Sequence, residues 1–541
     1  MKKIKKEKEY FNIYTRASLL LLFIAGIVAT VFFVPPNMDE FAHYHIISCL
    51  NFPESEFHIL RDACGGKNTM NLKVFGKMLP LRSYQYIGFS PSIFYYPIYS
   101  LFPDYHSARI MGAITLLFII FSAAFLTRTN VFLSLAIFGI SVPMLFQIVN
   151  DTGPVGFQNL LIFLIPLVAK FIVEEKNSNK AFMMSLGLGI ITFLGFETKP
   201  IMGFYIPSIF IITIFTCCNV YKNPFSLFFI RLLPAFLLFV ALTLTLLLSE
   251  TPYGKYYFQE LLGQSGRLSH LSFFEQYLIK IKAVTLDFLP NFYNFAYRYY
   301  GFSFSKELYV LSIAFWIPVF YSFIIYYRNF QKGKKEKDKN YYLFIALMLA
   351  FIVGFFSSCF DLRKTSGHQI IYLVTFLFTA LLIALDWLKK KKPLQFKLIL
   401  IFLVGVQVVL AAVTFTKEPE DHTSWDRLPI LNILAKKEVA DRFIIAHIDW
   451  GMYFISALYG SKNQLVTYYI PRNDLMAKQF LRLLKNTSVV RNKKLLFVRR
   501  TSTNLSVFNV FEEGLKDLRR VYPEPEEKYS SWQIWAEEDL P

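Results

Sequence analysis

The chain has 541 residues, 55% of them hydrophobic and 18% aromatic, with 57 lysines and arginines against 38 acids and a formal net charge of +19. Apolar stretches long enough to cross a bilayer recur along most of it, which excludes a soluble globular protein and describes a polytopic membrane protein. The basic residues fall in short blocks between apolar runs, so they read as topology signals, and nucleic acid is excluded as a partner.

Residues 1–16 carry Lys2, Lys3, Lys5, Lys6, Lys8 and Arg16 against two acids, a basic cytoplasmic N-terminus. The apolar run Ala17 to Val34 is long enough to span, and no small-residue cleavage site follows it, so we read a retained helix rather than a signal peptide. Residues 35–108 then form a first extracytoplasmic loop. Its aromatic, proline-punctuated stretch from Phe89 to Pro97 is too broken to span and suits an interfacial helix and turn. Spans are expected at roughly 109–126, 131–149, 154–173, 181–196, 201–217 and 232–249. A second long outer loop covers 249–307, and spans follow at roughly 308–327, 341–359, 370–388 and 396–415, about eleven in all. The densest basic blocks, Gln331 to Lys337 and Lys389 to Lys392, both fall on the side of the N-terminus, as the positive-inside rule requires. An odd count of spans places residues 416–541 outside the cell.

That tail changes character. Arg442 to His447 and Lys494 to Val498 read as short buried strands, Asp474 to Lys485 has helical periodicity, and Trp532 to Trp535 suits a last strand. Alternating strands and helices predict a small extracytoplasmic α/β domain. It carries no Gly-rich phosphate loop, nucleophile motif or ligand-spaced His/Cys set, which favours binding or docking over catalysis. The five cysteines show no metal pattern. Cys49 and Cys64 share the first outer loop, and whether they pair is left open.

Chemistry concentrates where the first span ends, at Pro35-Pro36-Asn37-Met38-Asp39-Glu40-Phe41-Ala42-His43-Tyr44-His45. Two adjacent carboxylates at a membrane rim are a functional candidate, because charge at that depth is costly without water or a partner. The alternative is that they cap the next helix. His43 lies four residues after Asp39 and, in a helix, would face it. His45 reads as a packed or interfacial histidine. Further polar groups fall on the same expected face: Arg109, Asn150-Asp151, Glu197-Thr198-Lys199, and Asp361-Leu362-Arg363-Lys364 with His368. A carboxylate can take a proton from an acceptor hydroxyl, and cations beside it can hold a leaving phosphate.

These elements resemble the GT-C superfamily of membrane glycosyltransferases, in particular bacterial members whose first outer loop reads Pro-Pro-x-Asp-Glu-x-x-His. The matching residues are Pro35, Pro36, Asp39, Glu40 and His43, with one extra residue between the prolines and the acids. Ser90 to Tyr96 resembles the family's aromatic-proline segment, Ala108-Arg109 the arginine that opens the second span, and Val149-Asn150-Asp151 its second acid. Thr198-Lys199-Pro200 resembles a recurrent Thr-Lys-x element, while Gly367-His368-Gln369 matches a late Gly-Arg-Tyr element only loosely.

The resemblance covers roughly residues 1–415 and leaves the tail aside. It implies transfer of a sugar from a polyprenyl-phosphate-linked donor to an envelope glycan, lipid or protein on the outer face of the cell (inner) membrane. It implies Asp39 as general base with Glu40 assisting, Asp151 and His43 positioning acceptor or metal, and Arg109, Lys199, Arg363 and His368 at the donor phosphate. Some relatives use a divalent cation such as Mg or Mn and others none, so metal dependence stays open. Two rival readings are a multi-pass transporter or lipid-linked glycan flippase, and a membrane scaffold that presents the tail. Charges at helix ends on one side, long outer loops and the lack of an internal repeat weigh against the first.

Overall fold

The computed structural model describes residues 2–36, 38–45, 47, 70–74, 77–84, 87–151, 154–199, 201–220, 225–248, 271–288, 292–293, 306–332, 339–360, 370–416, 427–448, 450–459, 465–501, 505–522 and 531–541. The chain divides into two compact units. The first unites Met1–Phe33, Gly112–Arg298 and Phe304–Lys417; the second unites Val34–Met111, Tyr299–Ser303 and Glu418–Pro541.

The first unit is the helical membrane body. Among the described residues, nine helices of the chain are long and apolar enough to span, and a bent pair makes a tenth. All eleven expected segments form helix, but two differ in kind. Met202–Cys218 is apolar but shorter than the others, and the segment expected at 131–149 is two pieces, Val131–Gly139 and Val142–Val149, bent by 75°. The break has a local cause. Ser141 is extended, and Pro143, which has no N–H, stands in the first turn of the second piece. The Val142 N–H instead donates to Gln407 Oε1 at 3.1 Å, and Gln407 Nε2 donates to Tyr293 Oη at 2.8 Å. Both pieces end in π-helical turns, Leu135–Gly139 and Leu145–Val149.

Ile371–Lys391 is the central helix of this unit, with every residue from Ile371 to Leu385 buried. It is apolar all round, as a helix enclosed by others must be. Gly112 lies against the bent pair: a Cβ there would stand 2.1 Å from the Val149 carbonyl oxygen. Only glycine admits so close a backbone approach.

The second unit holds two sheets. Strands β1 (Met70–Val74), β2 (Lys77–Tyr84) and β3 (Ile87–Gly88) form an antiparallel sheet between the first two spans, which the sequence reading had not included. The tail carries β4 (Phe443–His447), β5 (Val466–Tyr468), β6 (Lys494–Arg500), β7 (Arg519–Tyr522) and β8 (Trp532–Ala536), in spatial order β5-β4-β6-β8-β7. β4 pairs in parallel with β5 and β6, and β8 runs antiparallel to β6 and β7. Parallel neighbours need crossovers, and the helices Trp450–Tyr459 and Asp474–Arg491 supply them. Asn473 caps the second crossover by accepting the Met476 N–H, and Asn492 closes it at φ 50°.

The expected α/β tail is therefore present, but it does not have a core of its own alone. Phe41, Tyr44, Tyr95 and Tyr99, which follow the first span, are buried in the same cluster as Ile445, Phe454 and Phe497. Large aromatic surfaces from a membrane-edge loop are thus removed from water by the tail.

Candidate functional site

In the second unit, three motif elements from residues 34–111 converge. Glu40 lies in a short helix, Met38–Phe41, and Arg109 in the first turns of His106–Thr127. Both side chains are completely buried and form a two-point ion pair: Arg109 Nε donates to Glu40 Oε1, and Nη2 donates to Oε2 at 3.0 Å. The remaining donors hold the chain that leaves the first span, Nη1 on the Val34 carbonyl at 2.7 Å and Nη2 on the Pro35 carbonyl at 3.1 Å. A buried pair is tolerable only when its further hydrogen-bonding capacity is met in this way. Arg109 also lies over the Tyr105 ring at 5.7 Å.

The aromatic-proline segment forms the helix Ser90–Leu101, opened by Pro91 in its first turn. Ser92 Oγ donates to the His43 carbonyl at 2.9 Å, and the Tyr95 hydroxyl shares a 2.6 Å hydrogen bond with Ser107, two residues before Arg109. Burial pushes the Tyr95 phenol well above its ordinary range, so it stays protonated and able to donate. Burial works to raise the Asp104 carboxyl as well, but the His106 imidazole bonded to it at 3.0 Å outweighs this and holds it below its ordinary range.

Asp39 belongs to the Met38–Phe41 helix, and its side chain lies outside the described residues. That helix stops at Phe41, and Tyr44 and Ile47 bond back three residues, so His43 is not on a helical face with Asp39 as the spacing alone had suggested. The His43 ring is buried and lies 4.0 Å from the Tyr44 ring. His45 is the packed histidine expected: it is buried against Tyr453 and Phe454, and its Nδ1 bonds the Ala42 carbonyl at 2.8 Å. Since a carbonyl only accepts, Nδ1 carries the proton.

In the first unit, Asp151 follows the bent pair with a φ of 47°, a left-handed conformation that aspartate accepts better than most residues. It is buried, and Oδ1 accepts the Gly156 N–H at 2.6 Å, at the start of Gly156–Glu174. Lys199 is buried just beyond the end of Ser178–Thr198. Its carbonyl and that of Gly195 both accept from Gln158 Nε2, each at 2.7 Å. Gln158 Oε1 in turn accepts from Tyr372, whose ring stacks on Tyr205 at 4.5 Å. Beside it Asn159 Oδ1 accepts from Thr375 at 2.7 Å. This clamp fixes the helix end that presents Lys199, and it was not singled out from the sequence. Its signal was available, since Gln158-Asn159 is a polar pair inside an apolar run, where polar groups need partners.

Arg363 and His368 lie outside the described residues, as do Cys49 and Cys64. Among the described residues, no three side chains of His, Cys, Asp and Glu gather as metal ligands. Asp151 Oδ1 is engaged by a backbone N–H, and no step below is routed through a divalent cation.

No protein-family model matches this chain, and no curated protein does. Among solved structures, ArnT from Cupriavidus metallidurans in the apo state aligns over 96% of this chain and 98% of its own, with a TM-score of 0.50 and 11% sequence identity. The same protein bound to undecaprenyl phosphate aligns over the same shares at 11% identity, with a TM-score of 0.49. At such identity the likeness to the apo structure is one of fold: this chain is a helical membrane protein, with nine or ten apolar spans among the described residues and a C-terminal mixed α/β sheet domain, like ArnT.

Proposed function

We propose that this protein is a membrane glycosyltransferase that moves a sugar from a polyprenyl-phosphate-linked donor to the hydroxyl of an envelope glycan, lipid or protein at the outer face of the cell membrane. The observation that carries this is the convergence of the first-loop motif. Glu40 is locked to Arg109, Arg109 to the carbonyls of Val34 and Pro35, and the aromatic-proline helix to His43 and Ser107. These are the elements by which the sequence resembles the GT-C superfamily, and a polar lattice of this kind is what a reacting carboxylate needs to be held in place. The fold shared with ArnT, a helical membrane body with a C-terminal α/β domain, agrees with this reading.

In this mechanism Asp39 takes the proton of the acceptor hydroxyl. The oxygen attacks the anomeric carbon as the bond from that carbon to the phosphate oxygen breaks, and its electron pair leaves with the polyprenyl phosphate. Lys199, with Arg363 and His368, offsets the charge that builds on the phosphate. Asp151 and His43 orient the acceptor. Glu40 and Arg109 act as a positioning pair: the donors of Arg109 that bond Glu40 and the two carbonyls are committed to the loop, so we assign it there rather than to the phosphate.

Profiling of envelope glycans and glycolipids in a strain carrying Asp39→Asn, with protein level checked, tests this. We expect one defined sugar to disappear while the protein remains abundant. An unchanged profile would overturn the assignment and favour transport of a lipid-linked glycan.

A further inference from the structure

The membrane body contains a second feature, separate from the residues above. A cavity of about 850 Å³ opens between the last turns of His106–Thr127 and the later half of Gly156–Glu174. That is a volume typical of sites for sizeable ligands. Its walls are apolar, including Phe121, Phe125, Leu164, Leu167, Val168 and Phe171, and Arg128, Thr129 and Lys170 supply its charged and polar lining. No carboxylate lines it among the described residues. Lys170 stands roughly 20 Å along its helix from Gly156, the residue bonded to Asp151.

The two cations are unusual in where they sit. Lys170 belongs to the spanning helix itself rather than to a connecting loop, and its ammonium lies over Phe125 at 5.6 Å and Phe171 at 5.4 Å. Both rings are exposed. Arg128 closes the other helix: its N–H donates to the Phe125 carbonyl, and the Thr129 N–H donates to that of Ala124. This is the turn in which glycine usually fills the left-handed position. Here that position is Arg128, with φ 56°, so a cation is kept where glycine would cost less.

We infer that this groove is a binding site for an anionic phospholipid, whose phosphate meets Arg128 and Lys170 and whose acyl chain lies along the exposed phenylalanines. The charge decides the occupant. A groove open to lipid is filled by some acyl chain in any case, but two cations side by side at its head select an anionic headgroup over a zwitterionic one. The lining residues are no part of the machinery proposed for transfer, so the site is independent of it.

Native mass spectrometry of the full chain, released from nanodiscs made of equal parts phosphatidylglycerol and phosphatidylcholine with matched acyl chains, tests the inference. The wild type is expected to retain phosphatidylglycerol over phosphatidylcholine about thirtyfold, as two surface cations would produce. Arg128→Gly/Lys170→Met is expected to retain both alike. Methionine keeps the apolar stem over the two rings, and glycine suits the turn, so Arg128→Gly alone, which relieves the backbone, should lower the preference about fivefold if the double variant fails to fold. Equal retention by the wild type, or an undiminished preference in the variants, would overturn the inference. So would displacement of the phosphatidylglycerol by added polyprenyl monophosphate whose own binding falls in the variants, because the groove would then hold the carrier lipid.

Discussion

Glu40 and Arg109 show how a single pair can set the shape of a membrane-edge loop. The arginine is fully buried and bonds a carboxylate and two main-chain carbonyls. Arg109→Met would leave Glu40 buried without its counter-ion, which typically costs about 3–5 kcal/mol. The double variant Glu40→Met/Arg109→Met removes both charges and should recover most of that loss. Unfolding in detergent, followed for wild type, single and double variants, measures it; equal losses in single and double would show that the carbonyl bonds, not the ion pair, hold the loop. In the tail, burial pushes the His447 imidazole down to about 3, with Ser456 Oγ at 2.6 Å from its Nε2. The folded ring stays neutral while the unfolded one takes a proton below about pH 6.5. Stability from this group is therefore complete above pH 6.5 and falls as pH drops toward 3, by about 2 kcal/mol at pH 5. Unfolding of the full chain between pH 7.5 and 4.5, compared with His447→Gln, should show that slope only in the wild type.

At the scale of elements, the sequence revealed helices better than it revealed how they are joined. All eleven expected segments are helical, because a run of apolar residues long enough to span has few other ways to satisfy its backbone. The bend at Ser141-Val142-Pro143 needed a partner, Gln407, far along the chain, and no local pattern announces such a partner. The same holds for Arg109, whose carboxylate lies 69 residues away. The signal for the β1–β3 sheet was present in β1, where Met70-Asn71-Leu72-Lys73-Val74 alternates, but its partner β2 breaks the alternation and carries Pro80, so no pair of matching strands was legible. Gln158 was legible in principle as an amide inside an apolar helix, but its role is visible only once the carbonyls of Gly195 and Lys199 are seen on it. Gln158→Leu keeps the volume and removes this donor, leaving two carbonyls without it and loosening the end that presents Lys199. We expect sugar transfer by membranes carrying this variant to fall about tenfold in kcat, while Gln158→Glu, which keeps the acceptor for Tyr372, changes the pH profile as well.

For the whole molecule, composition settled the class, and the fold shared with ArnT agrees with it. The core of the tail is completed by aromatic residues between Phe41 and Tyr105, a pairing that the sequence pattern had not suggested. Hydrophobic patterning identifies each buried face but not which distant face covers it. Orientation in the membrane rests on the lysine blocks. The helices Ile371–Lys391 and Pro393–Thr416 are separated by Lys392 alone, a tight basic hairpin. Reporter fusions after Lys392 and after Thr416 should read cytoplasmic and extracytoplasmic respectively, and the reverse result would invert the topology of everything between Lys339 and the tail.

The left-handed backbone at Asp151 bears on how any mutational survey of this protein is interpreted. Alanine at that position changes two things together: it removes the carboxylate, and it forces a residue with no stabilising side chain into a conformation that favours asparagine, aspartate or glycine. An alanine scan would thus score Asp151 as indispensable whether or not its charge matters. Asparagine retains both the permitted backbone and an oxygen for the Gly156 N–H, so the amide swap alone separates chemistry from architecture at this corner of the membrane body.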